Sequence, residues 1–408
     1  MRIVFVNLHA DWMLLKTASV FVFKFSPAIK HGYLLKYLLE HPEFEVCNYI
    51  NDRGFSLLPK GNNAVLKFFN LFSGFENNII LKKNNINPNT IKVLRKSSDI
   101  KSDDIVIMYN IHSDNYRGMG DIDAFKALSV LHFHGYKSDN EYIKDAGVDC
   151  FFNETNLSKT SKLWNAYFTV EKPWIVMPFV YAQRFQMKKP FIERKNKAFA
   201  VGTITYKLHK DYLDVYGESC LQPMRKLIKD SPEYYNDTID CYSEDYLEGN
   251  EGKKIKNTDH KFVVLYKKIY NRFCTGRQKK YFSFDMVEKF NDYKMCIVAE
   301  EALGLPGIGF VEGMACGCAY IGIDSPMYSD YGLIPGTHYI AYDGTKEGLR
   351  KTIEYYQASQ NQEELERIAK TGCEFVRKNF QGDIVAEHLI KELVRLRDEK
   401  LNNVYRNA

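Results

Sequence analysis

Residues 304–322 read GLPGIGFVEGMACGCAYIG, from Gly304 to Gly322. The run is a glycine-rich loop, then a short helix around Glu312, then an apolar strand from Ala319. Loop, helix and buried strand in that order are one turn of an α/β layered domain. Glycines let the phosphates of a ligand approach the backbone, and free N–H groups at the start of a helix favour anionic oxygens. A carboxylate in that first turn can accept hydrogen bonds from a ribose diol while the helix end faces a pyrophosphate. Glu312 is the residue placed for this, with Gly307, Gly309 and Gly313 around it. A glutamate capping a helix between two core elements would show the same pattern, so the residues alone leave both readings open.

Outward from this stretch the rhythm repeats. On the C-terminal side, Tyr339-Ile340-Ala341-Tyr342 is strand-like, and Glu347–Tyr356, Gln362–Asn379 and Asp383–Lys400 are amphipathic helices. On the N-terminal side, Met295–Ala299, Thr238–Tyr242 and Ala198–Thr203 read as strands. The last of these runs into a turn at Gly202. A polar, basic stretch from Gln183 to Lys197 precedes it and marks a domain boundary. Before the boundary, Ile3–Asn7, Glu43–Ile50, Asp104–Asn110, Ser129–Gly135, Val148–Asn153 and Trp174–Pro178 are short apolar runs, with a helix over Ile29–Leu39. Several end in polar or glycine residues, as parallel strands do at their carboxyl edge. Residues 247–281, rich in lysine and tyrosine, fit no element. Two α/β domains facing a cleft are expected: residues 1–182, residues 198–382, and a terminal helix over 383–408 that packs back on the first.

Composition sets outer limits. With 408 residues the chain exceeds one ordinary core, and at about 100–200 residues per domain two or three are expected. Hydrophobic residues at 45% and charged residues at 26% exclude a disordered or fibrous chain. A net charge of +5, from 56 basic and 51 acidic side chains, falls short of a nucleic-acid-binding footprint and suits an anionic ligand or membrane surface. The nine cysteines are scattered, with no Cys-x-x-Cys pair and no evident metal-ligand cluster, so neither a metal nor a redox site is expected. The N-terminal run turns polar at Asn7 without the pattern of a signal peptide, and no stretch approaches 18 apolar residues. A cytoplasmic, reduced protein is expected.

The linked features then carry a resemblance. GFVEGMACGCAYIGID (309–324), GTHYIAYDGTKEGLRKTIEYY (336–356) and IAKTGCEFVRKNF (368–380) resemble, in order, the C-terminal half of the group 1 glycosyltransferases. These are retaining sugar transferases of the GT-B fold, built from two Rossmann-like domains with the donor in the cleft. The resemblance covers about residues 295–400. It implies a nucleotide diphosphate sugar as donor substrate, no other cofactor, no essential metal, and a carbohydrate or lipid-linked acceptor in cell-surface polysaccharide or glycan synthesis. A nucleotide-sugar epimerase of the same fold and an inactive nucleotide-sugar-binding protein are the alternatives.

Residue by residue, the resemblance maps the donor-ribose glutamate onto Glu312. The family's second acidic residue, eight positions earlier, is Gly304 here. Glu300 and Glu301 lie just upstream of a longer loop, and Glu301 is the candidate carboxylate near the transferred sugar. Leu131-His132-Phe133-His134-Gly135 is similar to the strand whose final histidine reaches the donor sugar, which selects His134; His132 alternates with it on the same face. Gly202 ends the first strand of the second domain. Thr203 stands where the family carries an arginine, and Lys207 and Lys210 flank the lysine position, which is Leu208. Lys207 is the candidate cation for the diphosphate. Arg272 or Arg277 would be the source of the missing guanidinium, and the sequence does not choose.

Two features lie outside the resemblance. His9 and Asp11 follow the first strand and would touch an acceptor or act as a base, or else merely cap the sheet. Val65–Phe72, Phe75 and Ile79–Lys83 combine apolar and aromatic residues with lysines. That segment reads either as a helix packed on its own sheet or as a peripheral contact with an anionic membrane face.

Overall fold

The structure, a computed structural model, describes residues 1–6, 8, 31–51, 78, 81–82, 84–109, 118–130, 136–207, 209–245, 260, 262–263, 266 and 284–407, with side chains through Asn402. The chain divides into two units. Met1–Lys159, Leu163–Pro178 and Asn379–Ala408 form the first, and Thr160–Lys162 with Phe179–Lys378 form the second.

The first unit is built on a parallel sheet of seven strands: β1 (Arg2–Val6), β2 (Glu45–Tyr49), β3 (Lys92–Leu94), β4 (Ile105–Tyr109), β5 (Phe125–Ser129), β6 (Cys150–Asn153) and β7 (Trp174–Val176). Their order is β3-β2-β1-β4-β5-β6-β7, every neighbouring pair parallel. Central strands such as β4 are buried along their whole length, which is why they read as unbroken apolar runs. The expected strand over Ser129–Gly135 is displaced: β5 ends at Ser129, and residues 131–135 lie outside the described set. Lys126 hid it. Its ammonium is buried and donates to the carbonyls of Met119 (3.2 Å) and Ile122 (2.9 Å), so a charged residue sits in a strand with every position buried. The helix Gly382–Asn407 closes this unit. It buries Val385, Leu389 and Leu393 at helical spacing, and Lys400 donates to Asp149 (2.9 Å) and to the Ala124 carbonyl (3.2 Å).

The second unit holds β8 (Lys195–Ile204), β9 (Ile239–Asp245), β10 (Tyr293–Ile297), β11 (Ala319–Ile323) and β12 (Ile340–Tyr342), all parallel, in the order β12-β11-β10-β8-β9. Ala198, Ala200, Met295, Ile297, Ala319 and Ile321 from three adjacent strands meet Leu349, Ile353, Leu365 and Ile368 from the helices Lys346–Gln357 and Gln362–Asn379. Caps fix where helices begin. The Thr345 side chain accepts from the Gly348 amide (2.9 Å), and Asp285 accepts from the Val287 amide (2.8 Å). In the sequence of strands, the sheet grows first on one side of β8, to β9, and then on the other, to β10. The carboxyl ends of β8 and β10 therefore diverge, and such a switch point is where open α/β sheets take ligands.

Candidate functional site

The helix Pro223–Asp230 follows β8 and carries proline at its first position, where a missing N–H costs nothing. Side chains of a first helical turn reach back toward the strand ends. Arg225 does so. It is buried, with Nε donating to the Ala299 carbonyl (2.8 Å) beyond β10 and Nη1 to the Thr203 carbonyl (3.0 Å) on β8. The guanidinium thus spans the switch point. Two glycines make the space. A Cβ on Gly202 would lie 2.7 Å from Nη1, and one on Gly307 would lie 2.6 Å from Nη2. Gly202 also has a φ of +142°, which side-chain-bearing residues rarely adopt.

β10 continues into Glu300 and Glu301. Glu300 is buried, and its Oε1 accepts from the hydroxyl of Tyr328 (2.6 Å) and the amide of Ile323 (3.1 Å), tying the ends of β10 and β11 together. Glu301 Oε1 accepts from Gln222 Nε2 (2.9 Å), while Oε2 is buried with no hydrogen-bond partner among the described residues. Gln222 is fixed in turn by accepting from the Thr205 amide (2.8 Å). Burial pushes the Glu301 carboxyl up, against the pull of Arg225, of the Gln222 hydrogen bond and of Lys207. Lys207 therefore sits close enough to act on this carboxyl. Gly304 has a φ of +81°, and a Cβ there would lie 2.3 Å from the Thr160 carbonyl oxygen. Backbone occupies the place where the resembling family carries an acidic side chain.

The helix Gly309–Ala315 starts over β10, and Gly309 lets it approach Val298. A Cβ on Gly309 would meet a Val298 methyl at 3.0 Å, and one on Gly313 would meet Cys296 Sγ at 2.5 Å. These two glycines set the distance between helix and strand. Glu312 lies in the helix's first turn, partly buried, and its carboxylate has no hydrogen-bond partner among the described residues. Burial pushes it up to about 7, opposed by the charge of Arg184.

Gly202, Thr203, Lys207, Glu301, Gly307 and Gly309 thus lie around the β8 and β10 ends, and Glu312 stands three residues further along the helix that Gly309 begins. Gly313 lies one turn into the helix, against the strand, and Lys210 is exposed at the start of the helix Lys210–Tyr216. His9, Asp11, His132, His134, Leu208, Arg272 and Arg277 lie outside the described residues, as does most of the 65–83 segment. Sequence reasoning missed Arg225 and Gln222. The available signal was Gln222-Pro223-Met224-Arg225, a proline-started helix directly after β8. Among the described residues no group of three or more metal-ligating side chains forms, and no described helix is long and apolar enough to cross a membrane.

No protein-family model matches the chain, and no curated protein matches its sequence. Solved structures do. HepE from Anabaena in complex with UDP is similar over 96% of this chain and 99% of its own, with a TM-score of 0.52 and 11% identity. A glycosyltransferase from Rickettsia africae aligns over 97% and 98%, with a TM-score of 0.46 and 12% identity. The pneumococcal O-GlcNAc transferase GtfA, solved with UDP and GlcNAc, aligns over 74% of this chain at a TM-score of 0.38 and 14% identity; the chain spans 58% of that protein. At such identities the likeness is one of fold, and the HepE alignment carries it. The chain is an α/β protein of two parallel sheets with the GT-B fold.

Proposed function

We propose that this protein is a glycosyltransferase that moves a sugar from a nucleoside diphosphate sugar to a carbohydrate or lipid-linked acceptor in glycan synthesis. The observation that carries the reading is Glu312: a partly buried carboxylate, with no hydrogen-bond partner among the described residues, beside a sheet switch point. Keeping such a group costs the empty protein stability, and a ribose diol supplies the two donors that would offset it. In this reading Lys207 neutralises the departing diphosphate in place of a metal ion, and Glu301 lies beside the transferred sugar. The family resemblance adds retention of anomeric configuration and a histidine, His134, acting on the sugar. A protein of similar fold was solved with UDP, so uridine diphosphate is the first ligand to try, with guanosine and cytidine diphosphates beside it.

The experiment is calorimetric titration of the three diphosphates into wild type and Glu312→Ala. Loss of charge-assisted hydrogen bonds to the ribose is expected to weaken the preferred nucleotide by about 1.5–3 kcal/mol. Unchanged affinity would return Glu312 to a helix-capping role.

A further inference from the structure

We propose that the stretch of chain between β9 and the helix Met286–Asp292 is a peripheral membrane anchor, which sets apolar side chains and lysines against an anionic lipid surface. The proposal goes beyond the transferase reading and stands without it. Three observations support it. First, the positive charge of the protein is concentrated here. Residues 247–281 hold ten lysines and arginines against three acidic side chains, and from Gly252 onward Asp259 is the only acid. The remaining 373 residues carry 46 basic and 48 acidic side chains, so the net charge of +5 comes wholly from this stretch. An anionic surface attracts and orients such a molecule by its one cationic segment. Second, apolar side chains in the same stretch face water. Phe262, Val263 and Tyr266 have helical backbone and are 77%, 41% and 53% exposed. Residues at i, i+1 and i+4 share one side of a helix. In the sequence the apolar series continues at Ile269, Tyr270 and Phe273, and Lys261, Lys268 and Arg272 fall on the opposite side of the same period. Third, the Val65–Lys83 stretch, which combines the same residue types, differs. Leu81, its one described apolar residue, is buried, as in a helix packed on its own sheet. The occupant follows from the mixture of side chains. Single-stranded nucleic acid would use the lysines and the aromatic rings but give the aliphatic Val263 and Ile269 no role. The boundary between headgroups and acyl chains takes aliphatic and aromatic groups alike, with lysines reaching back to the headgroups.

Co-sedimentation of the full chain with vesicles tests this. The vesicles are phosphatidylcholine alone or phosphatidylcholine mixed with phosphatidylglycerol, each at low and at high salt. Wild type is expected to bind the anionic vesicles at low salt, to bind neutral ones about 10-fold more weakly or less, and to lose most binding at high salt. Lys267→Glu with Lys268→Glu should weaken binding about 10-fold or more, and Phe262→Ser with Tyr266→Ser by a similar factor. Lys82→Glu with Lys83→Glu should leave it within a factor of about two. No sedimentation of wild type with anionic vesicles at low salt would overturn the proposal. So would binding that ignores both pairs of changes in residues 262–268 but falls with the pair at Lys82 and Lys83. A single-stranded RNA homopolymer that binds more tightly than the vesicles and displaces them would also overturn it, and would assign the segment to nucleic acid. If a variant does not fold, hydrogen exchange on the wild type decides. Amides of residues 260–273 exchange more slowly when anionic vesicles are added if the segment lies in the interface, and unchanged exchange there refutes it.

Discussion

Glu312 should make the empty protein less stable, and the size of the effect follows from its surroundings. Burial pushes its carboxyl from an unfolded value of 4.5 to about 7. The folded state therefore holds a proton that the unfolded chain has released between those two values. Stability falls as pH rises through that window and levels off above about 7. At about 1.36 kcal/mol per pH unit, the window from 4.5 to about 7 gives about 3 kcal/mol, which solvent screening of a partly exposed group trims to about 2–3 kcal/mol. Glu312→Gln keeps the shape and removes the titration. It should leave stability near wild type at pH 4.5 and raise it by about 2–3 kcal/mol at pH 8, or several degrees in Tm at about 2–4 °C per kcal/mol for a unit of this size. Thermal unfolding of wild type and variant across that range is the assay. A gain that is absent, or independent of pH, would refute the reasoning. A residue that costs stability when the site is empty and is needed when it is full is the usual signature of function.

Three further outcomes follow from the same geometry. Gly307→Ala places a methyl where Arg225 Nη2 now lies, so it should displace the guanidinium and destabilise the chain by about 1–3 kcal/mol; a thermal shift near zero would place Arg225 elsewhere. Gly304→Glu restores the acidic residue of the resembling family but puts a side chain against the Thr160 carbonyl, at a backbone conformation suited to glycine. It should destabilise the chain by about 1–3 kcal/mol, and a thermal shift near zero would contradict that. Lys207→Ala should reduce kcat more than nucleoside affinity, and a purely structural Lys207 would instead show in thermal stability.

The parallel sheets were legible because strands such as β4 and β10 are buried on both faces and contain little that is not apolar. The helix Gln362–Asn379 was legible because one face packs the core and the other is charged. β5 was obscured by a single lysine whose partners are backbone carbonyls, which leave no trace in composition. The site was legible only in its linear part. Gly304–Glu312 is one continuous stretch, so its chemistry can be read from spacing. Arg225 joins it through topology alone: β8 and β10 are neighbours in the sheet although far apart in the chain, and the helix between β8 and β9 drops its first turn onto their ends. The glycines illustrate the same limit. Flexibility and ligand approach were what their spacing suggested, yet the space beside Gly307 and Gly309 is taken by Arg225 and Val298.

The most direct test of the transferase reading is turnover itself. The protein should be incubated with radiolabelled nucleoside diphosphate sugars and a mixed carbohydrate and lipid-linked acceptor fraction, and the products separated. Label should move from the donor into an acceptor glycoside, with stoichiometric release of the nucleoside diphosphate, and this transfer should be lost in Glu312→Ala. Appearance of the label only as an epimer of the donor sugar, or no consumption of any donor by a protein that is folded, would contradict it.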